Sequence, residues 1–81
     1  MTVKVKLFAS IRDIVGSEER ELLLPNKANG LSVIDTLAAE YPKIHDWKRS
    51  LRIAVNREYV PFEHELHDQD EVALIPPVSG G

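Results

Sequence analysis

The chain has 81 residues, 43% of them apolar, a net charge of -3 and no cysteine. That allows one domain with one core, and it excludes disulfides, thiolate metal sites and a thiol nucleophile. The acidic balance, with no long basic run, argues against nucleic acid or an anionic membrane as a partner.

The opening stretch VKVKLFA alternates apolar and charged residues, the period-2 signature of a half-buried strand. Val3, Val5 and Leu7 fall on one face, and Lys4, Lys6 and Phe8 on the other. This alternation lacks the continuous apolar region of a secretory signal, and no stretch is long and apolar enough to span a bilayer, so a cytoplasmic location is expected. SIRDIVGSEE reads as a loop or short turn broken by Gly16, and RELLLP as a second strand ended by Pro25. Positions 26–30 are loop by composition. Ser32 with Asp35 gives a capping-box-like helix start, and Ile34, Leu37, Ala38 and Tyr41 form one apolar helical face. Pro42 stops that run, because a proline disfavours helical backbone in the residue before it. IHDWKRSL offers a further helical turn, with Trp47 tucked against the domain.

RIAVN predicts a third strand, with Ile53 and Val55 on one face, and REYVPF a short return strand after a turn near Asn56. His64 to Asp70 reads as polar loop with a turn at HDQD. EVALI predicts the last strand, with Val72 and Leu74 inward and Glu71, Ala73 and Ile75 outward. There is no internal repeat and no linker. Strands with one main helix indicate an α+β domain, the helix covering one face of a mixed sheet. Phe8, Ile75 and Tyr59 then fall together on or beside the uncovered face. A contiguous apolar patch marks a binding site, whereas single exposed apolar residues are common.

The sequence divides into a domain over 1–75 and a tail over 76–81, PPVSGG. Pro76 and Pro77 fix the backbone near polyproline II and offer no N–H to a neighbouring strand, so the sheet must end there. Val78 and Ser79 lead to Gly80 and Gly81, whose lack of Cβ lets the tip thread a narrow channel. The reactive group at the tip is the Gly81 α-carboxylate. It is ionised at neutral pH and a poor electrophile until another enzyme adenylates it.

Other constellations have plainer readings. His64-x-x-His67 suits a pair of exposed loop histidines better than a metal site, and Asp68, Asp70 and Glu71 lack calcium-loop spacing and suit turn chemistry. No metal is expected. Lys48, Arg49 and Arg52 read as a solvated face. Ser79 has no fixed base beside it and is not a nucleophile candidate. Tyr41 and Trp47 read as packing residues.

Three stretches, KLFASIRDIVG, AVNREYV and DEVALIPPVSGG, resemble the MoaD family of molybdopterin synthase small subunits, in register over nearly the whole chain. The resemblance implies a ubiquitin-like β-grasp fold and a sulfur carrier that is not catalytic alone and binds no cofactor of its own. An E1-like activating enzyme would use ATP to adenylate Gly81, and a persulfide donor would convert it to a thiocarboxylate. The tail Pro76–Gly80 would then enter a pocket of the large subunit in a heterotetrameric synthase. There the sulfur would pass to cyclic pyranopterin monophosphate to build the molybdopterin dithiolene. By the same resemblance Phe8, Tyr59 and Ile75 are partner-interface residues, and Arg12 a further contact. Two alternatives share the activation chemistry: a ubiquitin-like modifier conjugated through Gly81, and a thiamine-pathway sulfur carrier. The latter typically lacks the opening motif and the double proline.

Overall fold

The computed structural model describes residues 1–77. Val78, Ser79, Gly80 and Gly81, on which the tail chemistry falls, lie outside the described residues.

The elements run β1 (Thr2–Leu7), α1 (Ala9–Val15), β2 (Glu19–Leu23), α2 (Gly30–Glu40), a 3-10 helix (Pro42–Trp47), β3 (Arg52–Val55), β4 (Glu58–Val60) and β5 (Glu71–Ile75). The five strands form one mixed sheet in the order β2-β1-β5-β3-β4. β1 pairs antiparallel with β2 and parallel with β5, while β3 pairs antiparallel with both β4 and β5. Val3, Val5 and Leu7 from β1, Leu22 from β2, Ile53 and Val55 from β3, and Val72 and Leu74 from β5 are buried on one sheet face. Val33, Ile34, Leu37 and Ala38 of α2 and Ile11 and Val15 of α1 close over them. Each buried aliphatic side chain contributes about 1.5–3 kcal/mol. This is the α+β arrangement that the strand pattern predicts, and the inward and outward assignments along β5 hold.

Four local expectations are corrected. SIRDIVGSEE is not a loop: most of it is α1, where Ile11, Ile14 and Val15 at i, i+3 and i+4 turn toward the core. Gly16 ends this helix as a left-handed cap (φ 81), its N–H donating to the Arg12 carbonyl at 2.7 Å. Phe8 does not continue the strand; β1 stops at Leu7, and Phe8 caps α1 in extended backbone. Helix α2 starts at Gly30, with Asn29 rather than Ser32 as the cap. The Asn29 side chain accepts from the Ser32 N–H, and the Ser32 hydroxyl accepts from the Asn29 N–H. Asp35 instead meets Lys48 at 2.9 Å. Finally, the polar loop before β5 carries Leu66, which is fully buried, its N–H held by the Ala28 carbonyl.

The turn reading of the acidic loop holds. The Asp68 carboxylate accepts from the Thr2 N–H at 2.7 Å, and Asp70 accepts from the His67 N–H and the Asn56 side-chain amide. Asn56 and Arg57 both take positive φ in the two-residue turn between β3 and β4.

Candidate functional site

The parallel pairing of β1 with β5 builds the site. Leu7 lies opposite Leu74, so the two strands run in the same direction and finish at the same end of the sheet. The residues that follow, Phe8 on one strand and Ile75 and Pro76 on the other, therefore emerge together. Strand β3 runs the opposite way and begins at that end, with Arg52 opposite Ile75. The 3-10 helix immediately before β3 brings Trp47 to the same place.

The result is two grooves that share the double proline. Phe8, Ala9, Ser10, Trp47, Ile75, Pro76 and Pro77 line the first, of about 520 Å³. Ser50, Arg52, Tyr59, Ile75, Pro76 and Pro77 line the second, of about 460 Å³. Pro76 is buried and Pro77 exposed, and both prolines border both grooves. Phe8 is 46% and Tyr59 66% exposed, large for side chains that fill no part of the core.

Of the residues singled out from sequence, Phe8, Ile75, Pro76 and Pro77 meet in the first groove, and Tyr59 joins Ile75 and the prolines in the second. Arg12 stands apart. It lines a neighbouring depression with Lys6 and Phe8, and its guanidinium lies 3.9 Å from Glu18. Trp47 has two roles where the sequence suggested one: it packs on the core and also walls the first groove. Its signal was the half-exposed placement usual for tryptophan, too large to bury completely. Ala9, Ser10 and Arg52 carried no sequence signal that distinguishes them from ordinary surface residues.

The uncovered sheet face is divided in charge. Across β2 and β1, Lys6 lies opposite Glu19, and Lys4 lies opposite Glu21 with Glu71 on its other side. Across β5, β3 and β4, the row is Ala73, Ala54 and Tyr59. Charged cross-strand pairs keep the first half hydrated, whereas in the second half Ala54 is buried and the exposed Tyr59 ring supplies apolar surface beside Arg52 in the second groove. Among the described residues, no three metal-ligating side chains converge, and the His67 ring lies 3.9 Å from Glu65. The grooves hold no paired acid and base among the described residues. Their lining is mostly apolar, with Ser10, Ser50, Arg52 and the Tyr59 hydroxyl among its polar groups.

Comparison with known proteins agrees with this architecture. The model of the ThiS family matches residues 5–81. The molybdopterin synthase sulfur carrier subunit of Chlamydomonas reinhardtii is 37% identical over 83 aligned positions, covering 100% of both chains. A Pyrococcus furiosus protein assigned as molybdopterin converting factor subunit 1 is 35% identical. Its structure superposes with a TM-score of 0.84 over 96% of this chain and 99% of its own. Small archaeal modifier protein 1 of Methanosarcina acetivorans is 32% identical, with a TM-score of 0.81 over 99% of this chain and 96% of its own. With a ubiquitin-like β-grasp fold and full-length similarity to sulfur carrier subunits, the chain belongs to the ThiS family.

Proposed function

We propose that this protein is the sulfur carrier subunit of a molybdopterin synthase and acts through the carboxylate of Gly81. The observation that carries this reading is the exit of the double proline between two partly apolar grooves, in a chain whose relatives are molybdopterin synthase sulfur carrier subunits. The rigid prolines set the direction of the tail, and Gly80 and Gly81 provide a tip that a narrow channel admits. An E1-like enzyme transfers AMP from ATP to the Gly81 carboxylate and releases pyrophosphate. The outer sulfur of a persulfide donor displaces AMP to give an acyl disulfide. A second thiol of the donor cleaves that S–S bond, releasing the Gly81 thiocarboxylate and leaving a disulfide on the donor. The large synthase subunit receives the tail, and the sulfur passes to cyclic pyranopterin monophosphate.

Phe8, Ile75 and Tyr59 supply the apolar contact with these partners, and Arg12 lies at its margin. The chain supplies no acid, base or metal to the transfer itself and needs no cofactor of its own. We place it in the cytoplasm; among the described residues no helix is long and apolar enough to cross a membrane. Reconstitution tests the reading. The sulfur-loaded chain with a large subunit converts the pterin precursor, whereas the same chain alone or unloaded does not. Turnover by this chain alone contradicts it.

The similarity to a small archaeal modifier protein favours a second reading, in which Gly81 is joined to lysines of other proteins. Covalent adducts on cellular proteins, lost when Gly81 is removed, distinguish it. A thiamine-pathway carrier is distinguished by sulfur transfer to a thiazole-forming enzyme instead of the pterin precursor.

A further inference from the structure

Ala9 has a backbone conformation that its residue type disfavours. Its φ is +48, in the left-handed region, where a Cβ crowds the backbone. Glycine, Asn or Asp would occupy this position with less strain. The residue sits where β1 ends and α1 begins. On one side, Leu7 is fixed by its strand and by its N–H donating to the Glu18 carbonyl at 2.9 Å. On the other, the Phe8 carbonyl accepts from the Ile11 and Arg12 N–H groups at 3.1 and 3.3 Å. Phe8 is thus held by its own carbonyl and by the strand before it, and the left-handed step at Ala9 turns the chain into the helix. The Phe8 side chain remains at the surface and lines the groove with Trp47 and Pro76, and Ala9 lines the same groove. Residues held in sparsely populated backbone conformations cluster where a surface must keep a shape that folding alone would not choose.

We propose that Ala9 is the positioning residue of the docking groove: its left-handed backbone fixes Phe8 beside the double proline, and its methyl sets the width of the groove wall. This rests on the reading of the Phe8 face as the partner surface. Replacing Ala9 by glycine removes the strain and the methyl together and frees the hinge. The domain should then melt at the same temperature or slightly higher, since strain relief offsets the greater freedom of the unfolded chain. Phe8 would no longer be pre-ordered, and ordering it on docking should weaken the complex about three- to tenfold. Asn tolerates the left-handed backbone but places a polar side chain in the groove. Ala9→Asn should therefore fold as the parent does and dock more weakly than Ala9→Gly.

The experiment measures the dissociation constants of wild type, Ala9→Gly, Ala9→Asn and Phe8→Ala for the large synthase subunit, with thermal melting of each. Weakened docking by both Ala9 variants at unchanged melting temperature is the expected result. Wild-type affinity in Ala9→Gly, or a loss of affinity that follows a loss of folding, overturns the positioning role. If Phe8→Ala also binds as wild type does, the underlying partner-surface reading fails, an outcome separable from failure of the Ala9 inference alone.

Discussion

Phe8 shows how one residue changes meaning between sequence and structure while keeping its role. Strand alternation placed it beside Lys4 and Lys6, yet it belongs to the cap of α1, because the chain turns at Ala9. The expectation of an exposed aromatic near Ile75 holds; the element that presents it is different. Phe8→Ala should weaken the complex with the large subunit by about ten- to a hundredfold, from the apolar area lost on docking. Its melting temperature should stay close to that of wild type, because Phe8 lies outside the core. Asp68 makes a second residue-scale prediction. The Thr2 N–H donating to its carboxylate holds its pKa below the ordinary value. A lowered pKa gives stability that is present above the unfolded-state value, about 3.9, and is lost as pH falls through the folded-state value. Asp68→Asn keeps an acceptor but cannot titrate. Its stability deficit relative to wild type, followed by urea unfolding, should be constant near neutral pH and shrink below about pH 4. A deficit that grows on acidification would contradict the assignment.

At the scale of elements, the five strands and α2 were legible because their apolar residues repeat with periods of 2 and 3.6. Helix α1 was not, since seven residues make fewer than two full turns, and Gly16 resembles a loop breaker until its capping role is seen. Leu66 was hidden for a related reason: one apolar residue among acids and histidines has no period, yet it seals the core beneath the bridge between Asn29 and Glu65. Gly30 carries the next prediction. It begins α2, where alanine would normally be the better helix former. A Cβ there would lie 2.6 Å from the Ile53 side chain and 3.0 Å from the Phe62 carbonyl oxygen. The Phe62 contact is with backbone, which cannot rotate away. Gly30→Ala should therefore destabilise the domain by about 1–3 kcal/mol, measured by chemical denaturation, in spite of the gain in helix propensity. An unchanged or increased stability would mean that α2 and the Phe62 segment separate more easily than their packing indicates.

For the whole molecule, the topology explains what the folded domain adds to the tail. The sheet order brings the end of β1, the start of β3 and the end of β5 to one place. A tail leaving β5 is then flanked by surface from Phe8, Trp47, Arg52 and Tyr59, residues far apart in sequence. The tail reading rests on consecutive residues, PPVSGG, and so needs no fold to be stated. The groove was legible only in part, because parallel pairing of the first and last strands leaves no local signal. The central claim is that Gly81 bears the sulfur. The direct measurement is the intact mass of the full chain and of a variant lacking Gly81, each incubated with the activating enzyme, ATP and a persulfide donor, with melting temperature as the folding control. Removing one residue shortens the reach by about 3.5 Å, enough to take the carboxylate out of an in-line position. The account predicts an oxygen-for-sulfur mass increase in the full chain and none in the equally stable variant. Normal sulfur loading without Gly81 would contradict it, since this chain has no cysteine to hold the sulfur instead.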